Sequence, residues 1–283
     1  MNKNTGEVLE TDIVCAPKGS YYCTPEQQKA YRQRKQNEQE SYFRRKNNEP
    51  LGAFFFIPVE ECFNDISPET VTRLIYLNTF TKYNSNSLML TQRTPMRYKD
   101  LASVMNVSKS TVTRFWNEAY PHYLTMQGDN LIFTNKDIFK KGFLKRKKEY
   151  TDYQKFYIDG IRKLYNSTSK SNHKHLGYLF KLLPYINLEY NLVCHNPKEK
   201  ILDNVELMSM KEFCNQIKYD VTHLDRLLYI YRNIYFEVNG HKERFCTMIY
   251  DGIEKQNAKI FINPHILYCG SNYEQVKILG AFF

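Results

Sequence analysis

A chain of 283 residues, 42% apolar and carrying 23 tyrosines, is expected to fold, and it is long enough for two domains with a core each. No apolar run approaches the roughly 20 residues of a membrane span and the start MNKNTGEVLE has no signal-peptide pattern, which excludes a membrane-spanning reading and points to the cytoplasm. The net charge of +10 directs attention to polyanionic partners.

The charge is concentrated. Residues 87–149 hold twelve Lys or Arg against five Asp or Glu, whereas residues 51–86 hold two against four. The seven cysteines, at 15, 23, 62, 194, 214, 246 and 269, are odd in number and form no CxxC pair, so buried free thiols are expected rather than a disulfide framework.

Residues 1–24 are polar and read as a loose tail. Thr24-Pro25-Glu26 supplies a cap, a first-turn proline and an early acid, and the stretch 27–48 is helix-forming yet nearly devoid of apolar residues. Residues 1–50 are therefore expected to form a tail and a charged helical arm. That arm is either a solvated helix or a basic contact through Arg32, Arg34, Lys35, Arg44, Arg45 and Lys46. The run LGAFFFIPV (51–59) reads as a buried strand or anchor. Ser67-Pro68-Glu69 caps a helix over 69–81 with Val71, Leu74, Ile75 and Leu77 inward, and Leu88–Leu90 could be a first short strand.

The most informative stretch is RYKDLASVMNVSKSTVTRFWNEA, from Arg97 to Ala119. Leu101, Ala102, Met105 and Val107 fit a first helix and turn; Val112, Phe115, Trp116 and Ala119 form one apolar stripe on a second helix. Asn106 sits where the chain must reverse and tolerates a left-handed backbone, and Ser108 is a natural N-cap. The opposite face would carry Ser110, Thr113, Arg114 and Asn117, with Lys109 near its start and Arg97 and Lys99 ahead of the motif. Hydroxyls, an amide and a guanidinium are the groups that read base edges and hold phosphates in a major groove. An ordinary helical hairpin is the competing reading. Tyr123–Asn135 follows as two short strands around Gly128-Asp129-Asn130, a hairpin that would be the wing of a winged helix. Lys140–Lys148 then holds Lys140, Lys141, Lys145, Arg146, Lys147 and Lys148, either a phosphate-binding run or a solvated charge run.

Tyr150–Tyr165 reads as an amphipathic connecting helix with Phe156, Tyr157, Ile161 and Leu164 on one side, and the polar Asn166–Lys174 as a linker. The second half repeats the same order. It has an apolar helix over 175–186, a helix pair over 208–217 and 222–234, a hairpin of Tyr235–Val238 with Glu243–Tyr250, a strand at 259–263 and an apolar tail. The spacings differ between the halves, which reads as a repeated architecture and not a sequence repeat. The second recognition helix would expose His223, Asp225, Arg226 and Tyr229, a face suited to DNA contact or to dimerisation.

Two segments, YKDLASVMNVSKSTVTRF (98–115) and AKIFINPHILYCG (258–270), resemble the replication-initiator proteins of plasmids and phages from low-GC Gram-positive bacteria, including the RepL type. The resemblance implies winged-helix recognition of origin or operator DNA without catalysis, and carries over to Ser110, Thr113, Arg114 and Asn117. The chain differs in having two such units, a long arm, and Asn106 where the family usually has glycine.

The expected fold is mainly α with small β hairpins: tandem winged-helix domains at 51–149 and 175–283, joined by 150–174 and preceded by the arm. The expected function is sequence-specific binding of double-stranded DNA in replication initiation, with transcriptional control as the alternative. An interaction protein that uses winged helices to contact host replication or transcription machinery is a reading of another class. A homodimer is open. No phosphate-binding P-loop, zincin motif or recombinase constellation occurs, so no enzyme, cofactor or metal is expected. His173-Lys174-His175 could suggest a nickase metal pair, and Cys194, His195, His223, His241, Cys246, His265 and Cys269 a zinc site, but neither has the needed spacing.

Overall fold

A computed structural model describes residues 24–48, 51–61, 63–135, 137–142, 144, 152–250, 255–270 and 273–283. The chain divides into two units, 1–46 and 47–283. Helix α1 (Pro25–Asn48) lies almost wholly in the first. Thr24 caps it: its Oγ1 accepts the Gln27 N–H at 3.1 Å. Its described side chains are exposed, and Arg34 pairs with Glu38 one turn on at 3.2 Å. So polar a sequence has no apolar stripe to bury.

In the second unit, helices alternate with two-stranded antiparallel sheets, four of them among the described residues. Strand β1 (Phe54–Pro58) buries Phe55 and Ile57 and pairs with β4 (Tyr153–Tyr157); Phe55 stacks on Phe156 at 5.5 Å. The other edge of β4 is met by residues near the C-terminus, where the Tyr157 N–H donates to Ile266 O and the Tyr268 N–H to Lys155 O, both at 3.0 Å. The outer edge of β1 exchanges two backbone hydrogen bonds with Lys140, at 2.7 and 3.0 Å. Segments from the beginning, middle and end of the unit are thus tied by main-chain bonds.

Helix α2 (Pro68–Asn78), capped by Ser67, is buried on every side from Thr70 to Asn78, not only at the four expected inward positions. The reason is its central place: α4 (Lys109–Ala119), α5 (Ile158–Ser167) and α6 (His173–Phe180) all pack on it. At Gly177 of α6 the helices meet so closely that a Cβ would lie 1.9 Å from the Pro68 carbonyl oxygen. Thr72 Oγ1 also donates to His173 O at 2.8 Å. The boundaries expected near 150 and 174 are therefore crossed by strand pairing and helix packing, and one apolar cluster runs from Phe55 to Leu267.

Several expectations need correction. The connecting helix over 150–165 is instead strand β4 running straight into α5. A period-two run and a helical run adjoin without a turn residue between them, so helical spacing fits both. The linker 166–174 is the end of α5, a 3-10 turn at 170–172 and the start of α6, with Thr168 and His173 buried. Leu88–Leu90 makes isolated bridges, not a strand. The strand expected over 243–250 is interrupted by buried Phe245: β6 (His241–Arg244) pairs with β5 (Tyr235–Val238), and β7 (Cys246–Ile249) pairs with β8 (Lys259–Ile262). The apolar tail contains helix α9 (Tyr273–Gly280).

The two helix pairs are α3 (Leu101–Val104) with α4, and α7 (Met210–Gln216) with α8 (Leu224–Arg232). Contrary to the spacing read from sequence, they keep a constant offset. The Val107 N–H donates to Ala102 O and, in the same places, the Tyr219 N–H to Cys214 O, at 3.0 and 2.8 Å. The offset slips only afterwards, where residues 233–234 separate α8 from β5 but residues 120–123 separate α4 from its hairpin, β2 (Leu124–Gln127) and β3 (Asn130–Phe133). Among the described residues, no helix is long and apolar enough to cross a membrane.

Candidate nucleic-acid interface

The turn between α3 and α4 is built from the residues that the sequence singled out. Asn106 has φ +50°, and its N–H donates to Ser103 O at 3.1 Å beneath the Val107–Ala102 bond. This double closure is the Schellman ending of a helix, and a short polar residue tolerates the left-handed position better than other non-glycine residues. Ser108 then caps α4, its Oγ accepting the Thr111 N–H at 3.3 Å. Val112, Phe115 and Ala119 are buried as the stripe requires. Trp116, expected with them, is only half-buried: it stands edge-on to Tyr98 and stacks on Tyr120, centroids 5.1 and 5.2 Å away. It lies one position round the helix from Phe115, where the stripe meets solvent.

Lys109, Ser110, Thr113, Arg114 and Asn117 are all exposed on α4. Thr113 Oγ1 donates back to Lys109 O at 3.1 Å, and an Arg114 terminal nitrogen lies 3.4 Å from Thr111 Oγ1, so Thr111 joins this surface although the sequence reading passed over it. The acid on this helix, Glu118, turns back onto α2 and accepts the Ser67 N–H at 2.9 Å. Burial opposes its ionisation, but hydrogen bonds from Ser67 and Thr70 and the nearby Arg73 outweigh that and hold its carboxyl below the ordinary value. Arg97 and Lys99 are exposed just before α3, and Arg97 forms a backbone bridge to Asn130 of the β2–β3 hairpin.

Of the basic run after the hairpin, Lys140 and Lys141 are described, and both are tied elsewhere. Lys140 is held against Phe56, and the Lys141 carbonyl accepts the Asn84 N–H at 2.8 Å. Burial first, and the neighbouring Arg162 second, push the Lys141 ammonium below its ordinary pKa. Lys145, Arg146, Lys147 and Lys148 lie outside the described residues.

What the sequence did not reveal is a groove of about 650 Å³ at the N-terminal end of α4, between it, α2 and residues 170–174. Arg73, Lys170, Ser171 and Lys174 line it together with Ser108 and Arg114. The only early hint was composition, since NSTSKSNHK (166–174) is polar and basic.

At the N-cap of α8 and along it, His223, Asp225, Arg226 and Tyr229 are exposed as expected, but Asp225 is paired with Lys255 at 2.9 Å. His173 and His175 are structural. The His173 Nε2 lies 3.1 Å from Tyr165 O and 3.2 Å from Thr168 O, and burial pushes the His175 imidazole down to about 4. The scattered histidines bond elsewhere, His265 to Glu243 at 2.9 Å and His195 to Glu212 at 3.5 Å. Among the described residues, no group of three His, Cys, Asp or Glu side chains could hold a metal ion. Cys194, Cys214 and Cys246 are buried free thiols and Cys269 is half-buried. No protein family, curated protein or solved structure matches the chain.

Proposed function

We propose that this chain is a cytoplasmic, sequence-specific binder of double-stranded DNA. In this reading α3, α4 and the β2–β3 hairpin act as a winged helix with α4 in the major groove, and the second half is a related unit. One observation carries the reading: α4 offers solvent a continuous face of Lys109, Ser110, Thr113, Arg114 and Asn117 while the carboxylate of its acid, the exposed Glu118, is held by the Ser67 N–H at the start of α2. Such a face suits bidentate and short-donor contacts to base edges, and a carboxylate already engaged by α2 opposes the phosphates beside them less than a free one would. The resemblance of 98–115 and 258–270 to RepL-like initiators makes replication initiation our choice of role.

The full chain with labelled duplex DNA, followed by fluorescence anisotropy between 50 and 200 mM salt, tests the binding. Affinity is expected to fall about 10³-fold or more if at least six phosphates are neutralised; salt-independent binding or none overturns the proposal. Chromatin immunoprecipitation then separates the roles. Enrichment at a replication origin is expected, enrichment at promoters would replace initiation by regulation, and enrichment nowhere would favour a protein-contact role.

A further inference from the structure

The groove beside α4 has more cationic character than a structural crevice needs. Arg73, Arg114, Lys170 and Lys174 face only Glu69 and Glu118, and Glu118 is already engaged by Ser67. Arg73 is 9% exposed and its Nε has no hydrogen-bond partner; Tyr165 is its polar neighbour and Glu118 is close enough to feel its charge, but no carboxylate among the described residues comes within ion-pair distance of it. A cation so enclosed costs free energy unless an anion reaches it. Of the three helices that open onto the groove, α2 carries Glu69 in its first turn, but α4 and α6 carry no acid there, and Lys174 stands in the first turn of α6, where a positive charge opposes the helix dipole. A bound anion would offset all three features.

We infer that this groove seats a backbone phosphate of the duplex contacted by α4, so that Lys170 and Lys174, from the segment between the two halves, are part of the DNA interface. The inference rests on the DNA reading above. Arg73 sits at the floor and the two lysines with Ser171 form one wall. Ser108 and Arg114 connect the groove to the base-reading face of α4. The segment that reads as a linker from sequence reaches this place because α6 is docked on α2.

The test uses the full chain carrying Lys170→Gln and Lys174→Gln together, both on side chains with solvent access. With about 0.9 of a log unit lost per phosphate and decade of salt, loss of the one phosphate seated here should shallow the log–log salt slope by about one and lower affinity at 0.1 M salt about 10-fold. A matched double variant, Lys198→Gln with Lys200→Gln, removes the same charge elsewhere and should leave the slope nearly unchanged. Thermal melts of both variants should stay close to that of the unaltered chain. An unchanged slope in the groove variant while the unaltered chain still binds DNA overturns this inference alone, as does an equal loss in the matched control. Absence of binding by the unaltered chain overturns it together with the DNA reading. Inorganic phosphate that raises the melting temperature only when the lysines are present, with DNA affinity equal in variant and unaltered chain, would assign the groove to free phosphate and overturn it.

Discussion

The α3–α4 and α7–α8 pairs are the same backbone device made twice. Asn106 and Lys218 have φ +50° and +55°, Ser108 and Asp220 cap the segments that follow, and Val112, Phe115 and Ala119 are buried in the places taken by Leu224, Leu227 and Tyr231. Their outer faces agree only in part: a hydroxyl and an arginine recur, and the other two positions differ in charge and size. On α4 the exposed positions are hydroxyls, an arginine and an amide; on α8 and the 3-10 turn before it the same positions hold Thr222, Asp225, Arg226 and Tyr229. Backbone closure and core stripe decide whether the pair forms, and neither depends on what the solvent face carries. That face is free to diverge, so the repeated architecture does not imply a repeated function.

The largest effect should come from the shared core. Phe115 and Leu227 are both fully buried and belong to one continuous apolar cluster. Phe115→Ala should cost about 3–5 kcal/mol and Leu227→Ala about 2–5 kcal/mol, from lost transfer energy and the cavity left behind. Scanning calorimetry of the full chain should show both shifting the same transition of the 47–283 unit. Two transitions, each moved by one substitution, would break the comparison by making the halves independent domains. Trp116→Ala should do less damage than Phe115→Ala, because its ring is already half in water.

The outer faces come next. Arg114→Ala should weaken binding to the specific duplex by about 1–3 kcal/mol with stability nearly unchanged. Arg226→Ala, beside an aspartate held by Lys255, should change it by less than about 0.5 kcal/mol. Anisotropy titrations of both variants on one cognate site decide it, and the opposite ranking would move the recognition helix from α4 to α8.

The α4 surface was legible from residues because everything in it is local. A cap, a left-handed asparagine and an apolar stripe lie within one stretch, and the chemistry of each residue names its place. The hairpin after it was legible for the same reason, since Gly128 has φ +60° at the turn between β2 and β3. The strand over 153–157 was not, because its partners, Phe54–Pro58 on one edge and residues 266–268 on the other, are remote in sequence. The groove was hidden more completely. Arg73 reads as one polar residue on an apolar helix and Lys170 as part of a linker; only the packing of α6 on α2, closed at Gly177, brings them together. Local signals could place the exposed face of α4 but not the charges that long-range packing delivers beside it.

The smallest effect bears on the turn itself, where the two copies differ in chemistry at an identical backbone position. Asn106 and Lys218 both end a helix in the left-handed region. An L-residue with a Cβ is strained there by about 1–2 kcal/mol, a cost that asparagine partly relieves through local hydrogen bonding and lysine does not. Glycine removes the strain but adds conformational freedom to the unfolded chain, which returns a few tenths of a kcal/mol or more. The two terms should nearly cancel for Asn106→Gly and leave a net gain of about 1 kcal/mol for Lys218→Gly, whose exposed side chain gives up little packing. For a unit of this size the gain corresponds to a rise of about 2–4 °C in Tm, readable by circular dichroism and by urea midpoints at constant m-value. If Asn106→Gly proves the more stabilising, or Lys218→Gly destabilises, then the lysine side chain makes a contact that offsets its strain, and the two turns are alike in dihedral angle but not in energetics.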